Sequence, residues 1–329
     1  MKTQQGLMSL SSASELIRNG NFLSIAGDEA ALRQLPPGNW IGGTIPYFMA
    51  AEGGTVSRTQ VFVTQVDGFI APPELRFYDA ATLPQICRNA PENGYSILIL
   101  PAFSATHASF AQNAPNFEEM YLKPLIGWVA GIHLDDIGKV TPKVVLGTTG
   151  EFSETDAVVM DVPLSPEKFA QIDIVNLFRP GAGEGITFAE NGFSAGACQI
   201  GGKPGNLADY LLDNQIDNRL PLVADYSGAM INVSIKGIDH EARRVEFYAP
   251  VFPGLEYRIA APVTDYVAAF LAALPSTGQD ISFSCNCILN FLNSELEGKR
   301  TGEVTGPMTF GEIGYQLLNQ TLVYLTITE

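Results

Sequence analysis

Six short stretches of the chain hold residue types that could do chemistry. Ser194 sits at the centre of "GFSAG" (192–196), the Gly-x-Ser-x-Gly pattern in which a strained strand-to-helix turn presents a nucleophile. The pattern needs a helix directly afterwards, but Gly201, Gly202, Pro204 and Gly205 follow, and proline and glycine oppose one. His240 is the only later histidine that could serve as base. Cys285 and Cys287 form "CNC", and alternation along a strand turns both sulfurs to one face. That suits half of a zinc site, which needs two further ligands. It equally suits two small buried side chains at a strand end. "HLDD" (133–136) places one imidazole and two carboxylates on a loop, to meet a cation or to be solvated. His107, in "FSATHASF", follows the apolar run "ILILP", at the strand end where open α/β sheets bind ligands. "PGAGEG" (180–185) is glycine-rich but lacks the lysine and helix of a phosphate loop. "NWIGGTIPYF" (39–48) crowds Trp40, Tyr47 and Phe48 around Gly42, Gly43 and Thr44. Aromatics beside a glycine turn wall a pocket or pack a core.

None of these stretches completes a catalytic set. No reaction, metal or cofactor is therefore expected, and a hydrolase acting through Ser194 or Cys285 is the lesser reading. The bulk composition narrows the class further. A chain of 329 residues with 46% hydrophobic content can bury more than one core. Its formal charge of −16 repels phosphate backbones and anionic lipid surfaces, so neither nucleic acid nor membrane is expected as a partner. No apolar run reaches the roughly 18–20 residues of a membrane helix. The start, "MKTQQGLMSLSSASELIRNG", has no continuous apolar segment of the signal-peptide kind. The four cysteines show no disulfide-framework spacing. Together these features point to a cytoplasmic location.

The elements that must position these residues read as mixed α/β. "FLSIAG" (22–27), "TQVFVTQV" (59–66), "YSILILPAF" (95–103), "DAVVMDVPL" (156–164), "DISFSCNCI" (280–288) and "QTLVYLTI" (320–327) are strands by β-branched content or continuous apolarity. "DEAALRQL" opens a helix with Asp28 as N-cap, and "GKPGNLADYLLDN" and "VTDYVAAFLAAL" hold others. "RRVEFYAPVFPGLEYRIAAP" reads as a hairpin about Pro253-Gly254. Residues 38–66 and 302–327 share one plan: a strand, a glycine-rich turn with a glutamate, then a strand beginning near a threonine. "YSILILPAF" plus helix likewise parallels "DISFSCNCI" plus helix. The repetition suggests two related halves, 1–165 and 166–329, with mixed sheets flanked by helices. The last strand is apolar on both faces and belongs inside a sheet. Before it, "GEIG" (311–314) reads as a sharp turn with Gly311 and Gly314 supplying backbone freedom. Glu312 at its mouth either meets a ligand ammonium or hydroxyl, or holds the turn.

The C-terminal pattern resembles that of FIST-domain proteins. Cys285 stands at a strand end, Phe310, Gly311, Glu312, Ile313 and Gly314 form the Tyr/Phe-Gly-Glu-Ile motif, and Asn319, Gln320 and Thr321 open the last strand. Leu318 stands where that family has a histidine. Gly42, Gly43 and Thr44 resemble its N-terminal glycine turn, with Pro46-Tyr47 departing from it, and "PLIGWVAGIHLDD" resembles its central glycine-rich segment. The resemblance implies FIST-N-like and FIST-C-like halves and a sensory module of signal transduction. It further implies a small polar ligand, such as an amino acid or related metabolite, and no established catalysis. A pocket lined by Gly43, Thr44, Tyr47, His107, Cys285, Asn286 and Glu312 follows from that reading together with the strand-end placements. A signalling-protein partner is expected as well, and a docking scaffold is the main alternative.

Overall fold

A computed structural model describes residues 5–226, 228–274 and 280–329. Pro275, expected to stop the helix begun in "VTDYVAAFLAAL", lies outside the described residues. The fold is mixed α/β, and the chain divides into two compact units. The first comprises 1–175, 274–317 and 322–329, and the second 176–273 and 318–321. These boundaries differ from the division at 165/166 read from the sequence.

The first unit opens with strand β1 (Gln5–Met8), helix α1 (Leu10–Arg18), strand β2 (Phe22–Gly27), the short helix α2 (Glu29–Leu32) and strand β3 (Trp40–Thr44). A hairpin of β4 (Tyr47–Ala50) and β5 (Gly53–Val56) and the strand β6 (Val61–Val66) follow. The stretch around Gly42 and Gly43 is thus two strands and not the glycine turn read from the sequence. β2 runs parallel to β3 and antiparallel to β6. Leu23, Ile25, Trp40, Val61 and Val63 make one core beneath them.

The same plan recurs. Strand β7 (Glu74–Tyr78), helix α3 (Ile86–Asn89), strand β8 (Gly94–Pro101), helix α4 (Ala105–Asn113) and strand β9 (Leu125–Ala130) precede the hairpin of β10 (Val144–Leu146) and β11 (Glu151–Ser153), and β12 (Ala157–Pro163) closes the copy. Here β8 is parallel to β9 and antiparallel to β12. Every residue of β8 is buried, which explains why its sequence shows no polar alternation. Strand β13 (Phe169–Val175) opens a third copy.

Between the opening and completion of that copy the chain makes the second unit. Its strands are β14 (Ile186–Thr187), β15 (Gly192–Ala195), β16 (Ala197–Ile200), β17 (Lys203–Asn206), β18 (Leu222–Tyr226), β19 (Ala229–Val233), β20 (Ile235–Asp239), β21 (Arg244–Val251) and β22 (Tyr257–Ile259). Helix α5 (Leu207–Asp213) follows β17 and helix α6 (Tyr266–Ala273) follows β22. Phe188, Leu207, Val245, Phe247 and Tyr257 anchor the core of this unit. β21 and β22 do not form the hairpin expected about Pro253-Gly254. β21 pairs with β15 and β20, while β22 pairs with β14 and β18 in another sheet. Residues 318–321 also pack in this unit. Asn232 Nδ2 donates to Asn319 O (3.0 Å), and Ser234 Oγ donates to Gln320 Oε1 (2.7 Å).

The third copy is completed by β23 (Ile281–Cys287), helix α7 (Ile288–Asn293), β24 (Gly306–Thr309), the strands β25 (Glu312–Gly314) and β26 (Gln316–Leu318), and β27 (Leu322–Thr328). β23 is parallel to β24 and antiparallel to β27. The likeness between 38–66 and 302–327 is therefore one of topology, and the segment between them holds a further copy. The three sheets run β1-β6-β2-β3-β10-β11, β7-β12-β8-β9-β25-β26 and β13-β27-β23-β24-β4-β5. Each is finished by the hairpin of another copy, in a closed cycle. β27 lies between β13 and β23, so the chain's last strand is interior as its apolarity requires. "GEIG" is not a turn: Glu312, Ile313 and Gly314 pair with Trp128, Gly127 and Ile126 of β9. The left-handed backbone falls instead on Tyr315 (φ 64°) and Gln320 (φ 52°). Among the described residues no helix is long and apolar enough to cross a membrane.

One buried acid sits within the second sheet. Asp161 on β12 accepts a hydrogen bond from Ser96 Oγ (2.5 Å), and Arg76 Nη2 lies 3.2 Å from its other oxygen. Burial outweighs both partners and pushes its carboxyl from 3.8 up to about 6. The folded chain then holds a proton that the unfolded chain releases, so this group's contribution falls as pH rises from its ordinary range through about 6. Denaturant titrations should show wild type losing up to about 3 kcal/mol, relative to the non-titrating Asp161→Asn, between about pH 4 and pH 7. Parallel pH profiles for the two proteins would contradict this.

Candidate functional site

In each copy of the first unit the two parallel strands end side by side. A helix starts beyond the first strand, and a link leads from the second into the hairpin that joins another sheet. The links after β3 and β24 are residues 45–46 and 310–311, whereas the link after β9 spans residues 131–143. Aromatic side chains meet at the strand ends of the second and third sheets. Over the second sheet, Phe310 meets Phe103 edge-on at 6.2 Å, and a Cβ on Gly131 would come within 2.2 Å of the Phe310 ring. Over the third sheet, Tyr47 meets Phe291 edge-on at 5.8 Å. Over the first sheet, which the long link borders, there is a cavity of about 340 Å³. Loops longer than their connection requires are commonly functional, and the carboxyl ends of strands are where open α/β sheets place ligands.

The walls follow from local chemistry. Asp28 caps α2, its Oδ1 accepting from Ala30 N (3.0 Å), as the sequence predicts. Glu29 and Arg33 stand one helical turn apart and pair at 2.6 Å. At the end of β3 the Thr44 hydroxyl accepts from Lys143 N (2.9 Å) and reaches Lys143 O (3.3 Å), which ties the close of the long link to the sheet. The middle of the link is tied to β4, where Tyr47 Oη accepts from Leu134 N (3.1 Å) and its ring stacks on His133 at 5.5 Å. His133 Nδ1 accepts from Asp135 N (3.3 Å) and so caps the turn that presents Asp136. Arg58, in the connection before β6, reaches Asp136 at 2.8 Å and faces Asp28 at 3.8 Å.

The charges are largely matched within the wall. Burial pulls Glu29 upward, but hydrogen bonds from Lys143 and Arg33 prevail and hold its carboxyl below the usual range. Asp136 pushes the Arg58 guanidinium up and keeps it charged. Burial raises the Tyr47 phenol, so it stays neutral at physiological pH and serves as an acceptor. The Arg58–Asp28 contact differs from the rest. At 3.8 Å it is too long for a hydrogen bond, so the opposite charges stand close together at the cavity wall without one.

Of the sequence candidates, Thr44 lines this cavity and Tyr47 braces its wall. Gly43 is a packing position, where a Cβ would meet Trp128 at 2.7 Å. His107 lies buried in α4 with Nδ1 accepting from Phe103 N (3.3 Å), and burial lowers it to about 4. Cys285, Asn286 and Glu312 come together in a closed cluster. Glu312 is 0% exposed, which removes it from the mouth of any turn. The Thr309 hydroxyl stands 3.2 Å from Asn286 O and 3.4 Å from Glu312 Oε1, and Cys285 Sγ donates to Gly127 O (3.2 Å). Burial drives the Cys285 thiol well above its usual value, with Glu312 adding to the shift. Burial also raises Cys87 to about 12 and Cys198 to about 11. Since the thiolate is the reactive form, a thiol reagent should label none of the four cysteines in the native state and all four in urea. Rapid native labelling of Cys285 would reopen a nucleophilic role. Ser194 lies on β15 with no helix after it, its Oγ accepting from Arg244 Nη2 (2.8 Å), so the elbow geometry is not formed.

Arg58, Glu29 and Arg33 do not stand out in the sequence, and Asp28 stands out only as a cap. The available signal was position: Asp28 and Glu29 follow directly on the buried strand "FLSIAG". Fold and cavity together describe a mixed α/β protein with an open crevice at the strand ends of its first sheet. The chain belongs to a family of unknown function, DUF6976, whose model matches residues 8–328. No curated protein and no solved structure matches it.

Proposed function

We propose that the chain is a small-molecule-binding module of sensory type, whose ligand is a zwitterion of the α-amino-acid kind held at Asp28 and Arg58. The observation that carries this reading is the open cavity in which those two side chains face each other at 3.8 Å. An α-amino acid bears its ammonium and carboxylate on one carbon. Those groups can bridge a carboxylate and a guanidinium that do not bond to each other, and both new contacts are charge-assisted. The cavity volume is at the small end of the roughly 300–1,000 Å³ of small-molecule pockets, which suits a metabolite and not a dinucleotide. The resemblance of the terminal motifs to FIST sensory modules supports the same reading. In that role the protein would act in the cytoplasm and report occupancy to a signalling partner.

A thermal-shift screen of the intact chain against the amino acids tests the proposal. A ligand at a hundredfold excess over its Kd should stabilise the chain by about 2.7 kcal/mol, and Arg58→Gln should cut that stabilisation to about 1.4 kcal/mol or less. A ligand shift unchanged in Arg58→Gln would move the site elsewhere, and no shift with any amino acid would refute the ligand class.

A further inference from the structure

We infer that the cavity selects α-amino acids with aliphatic side chains, an inference that rests on the zwitterion reading. The charged groups are committed in two sets. Arg58 and Asp28 face the ligand's own backbone charges, while Glu29 is bound by Arg33 (2.6 Å) and by Lys143 (2.8 Å). A charged ligand side chain therefore meets no uncompensated partner, and an ion moved from water to such a site loses hydration without replacement. Apart from Thr44, His133 and Asp136, the last already paired with Arg58 at 2.8 Å, the rest of the lining is apolar. Ile45 and Pro46 at the end of β3, Ile132 at the start of the long link and Val140 near its end complete the wall. Val140 is 42% exposed. An aliphatic side chain left in water on a cavity wall is what an apolar ligand group would cover. Covering it also explains why the long link carries an aliphatic residue there, on the same wall as His133 and Asp136.

The discriminating experiment is a calorimetric titration of the intact chain with leucine, aspartate, lysine and leucinamide, repeated on Val140→Asp. Val140 is exposed enough for that variant to fold. Leucine is expected to bind at least tenfold more tightly than aspartate or lysine, the loss of roughly 1.4 kcal/mol or more that hydrophobic burial of its side chain provides. Leucinamide, which lacks the carboxylate, should bind at least tenfold more weakly than leucine. Val140→Asp should weaken leucine at least tenfold and narrow or reverse its preference over lysine. If aspartate or lysine binds as tightly as leucine, and Arg58→Gln weakens that binding at least tenfold, the zwitterion site stands and the aliphatic preference is overturned. If no amino acid binds, both fall together.

Discussion

Replacing Gly127 by alanine is expected to destabilise the first unit by more than about 4 kcal/mol, at the extreme end of single-residue effects. Gly127 lies in the middle of β9, paired with Leu98 of β8 on one side and Ile313 of β25 on the other. A Cβ there would stand 1.8 Å from the carbonyl oxygen of Leu98 and 2.7 Å from its carbonyl carbon. Both are backbone atoms of a wholly buried strand, so no rotamer change can relieve the clash. The Gly127 carbonyl also accepts from Cys285, which links β9 to a strand of the third copy. Gly43→Ala provides the contrast, since its Cβ would meet the side chains of Trp128 (2.7 Å) and Ile99 (2.8 Å). Overpacking of that kind costs roughly 1–3 kcal/mol. Urea unfolding of both variants checks the pair: Gly43→Ala should fold with a lowered midpoint, and Gly127→Ala should fail to fold or lose most of its stability. A Gly127→Ala protein as stable as wild type would contradict the described register of β9.

The strands that cross the core were legible because burial on both faces writes itself as continuous apolar sequence. "FLSIAG" is β2 to the residue, and "YSILILP" and "ISFSCNC" fall within a residue of β8 and β23. The hairpins were not legible. Their strands are short and glycine-rich, and partners from a different copy stabilise them, so β25 looked like the turn it is not. The cyclic plan showed in two copies and stayed hidden in the whole. The second copy carries the long link 131–143 where its counterparts have two residues, and the second unit separates β13 from β23. Strand pairing across such distances leaves no periodic signal.

The site was visible in pieces. "NWIGGTIPYF" and "HLDD" were both singled out, and the fold brings them together through Tyr47 and the 131–143 link. Asp28 served its expected role as a cap, but a cap's second oxygen is not readable from sequence. Arg58 sits in "SRTQ" between two strands, and no pattern ties that connection to a loop nearly eighty residues away. The motif around Glu312 drew attention through composition, yet its residues serve the packed centre of the sheets and not an opening.

Arg58→Gln carries the largest expected effect on binding. A charge-assisted hydrogen bond to a carboxylate is worth about 1.5–3 kcal/mol, so losing it should weaken an amino acid by roughly 10- to 150-fold. The fold should hardly notice the change. The Arg58 side chain is 46% exposed, its pair with Asp136 lies at the surface, and surface pairs contribute about 0–1 kcal/mol. Binding and stability should therefore separate in this variant, as they would not for a residue that only supports the fold.

Titration calorimetry of leucine into the intact chain and into Arg58→Gln is the most direct test. One saturable site per chain is expected in wild type and a loss of at least tenfold in Arg58→Gln, with the melting temperatures of the unliganded proteins nearly equal. Saturable binding of equal strength to both proteins, or no heat with either, would contradict it.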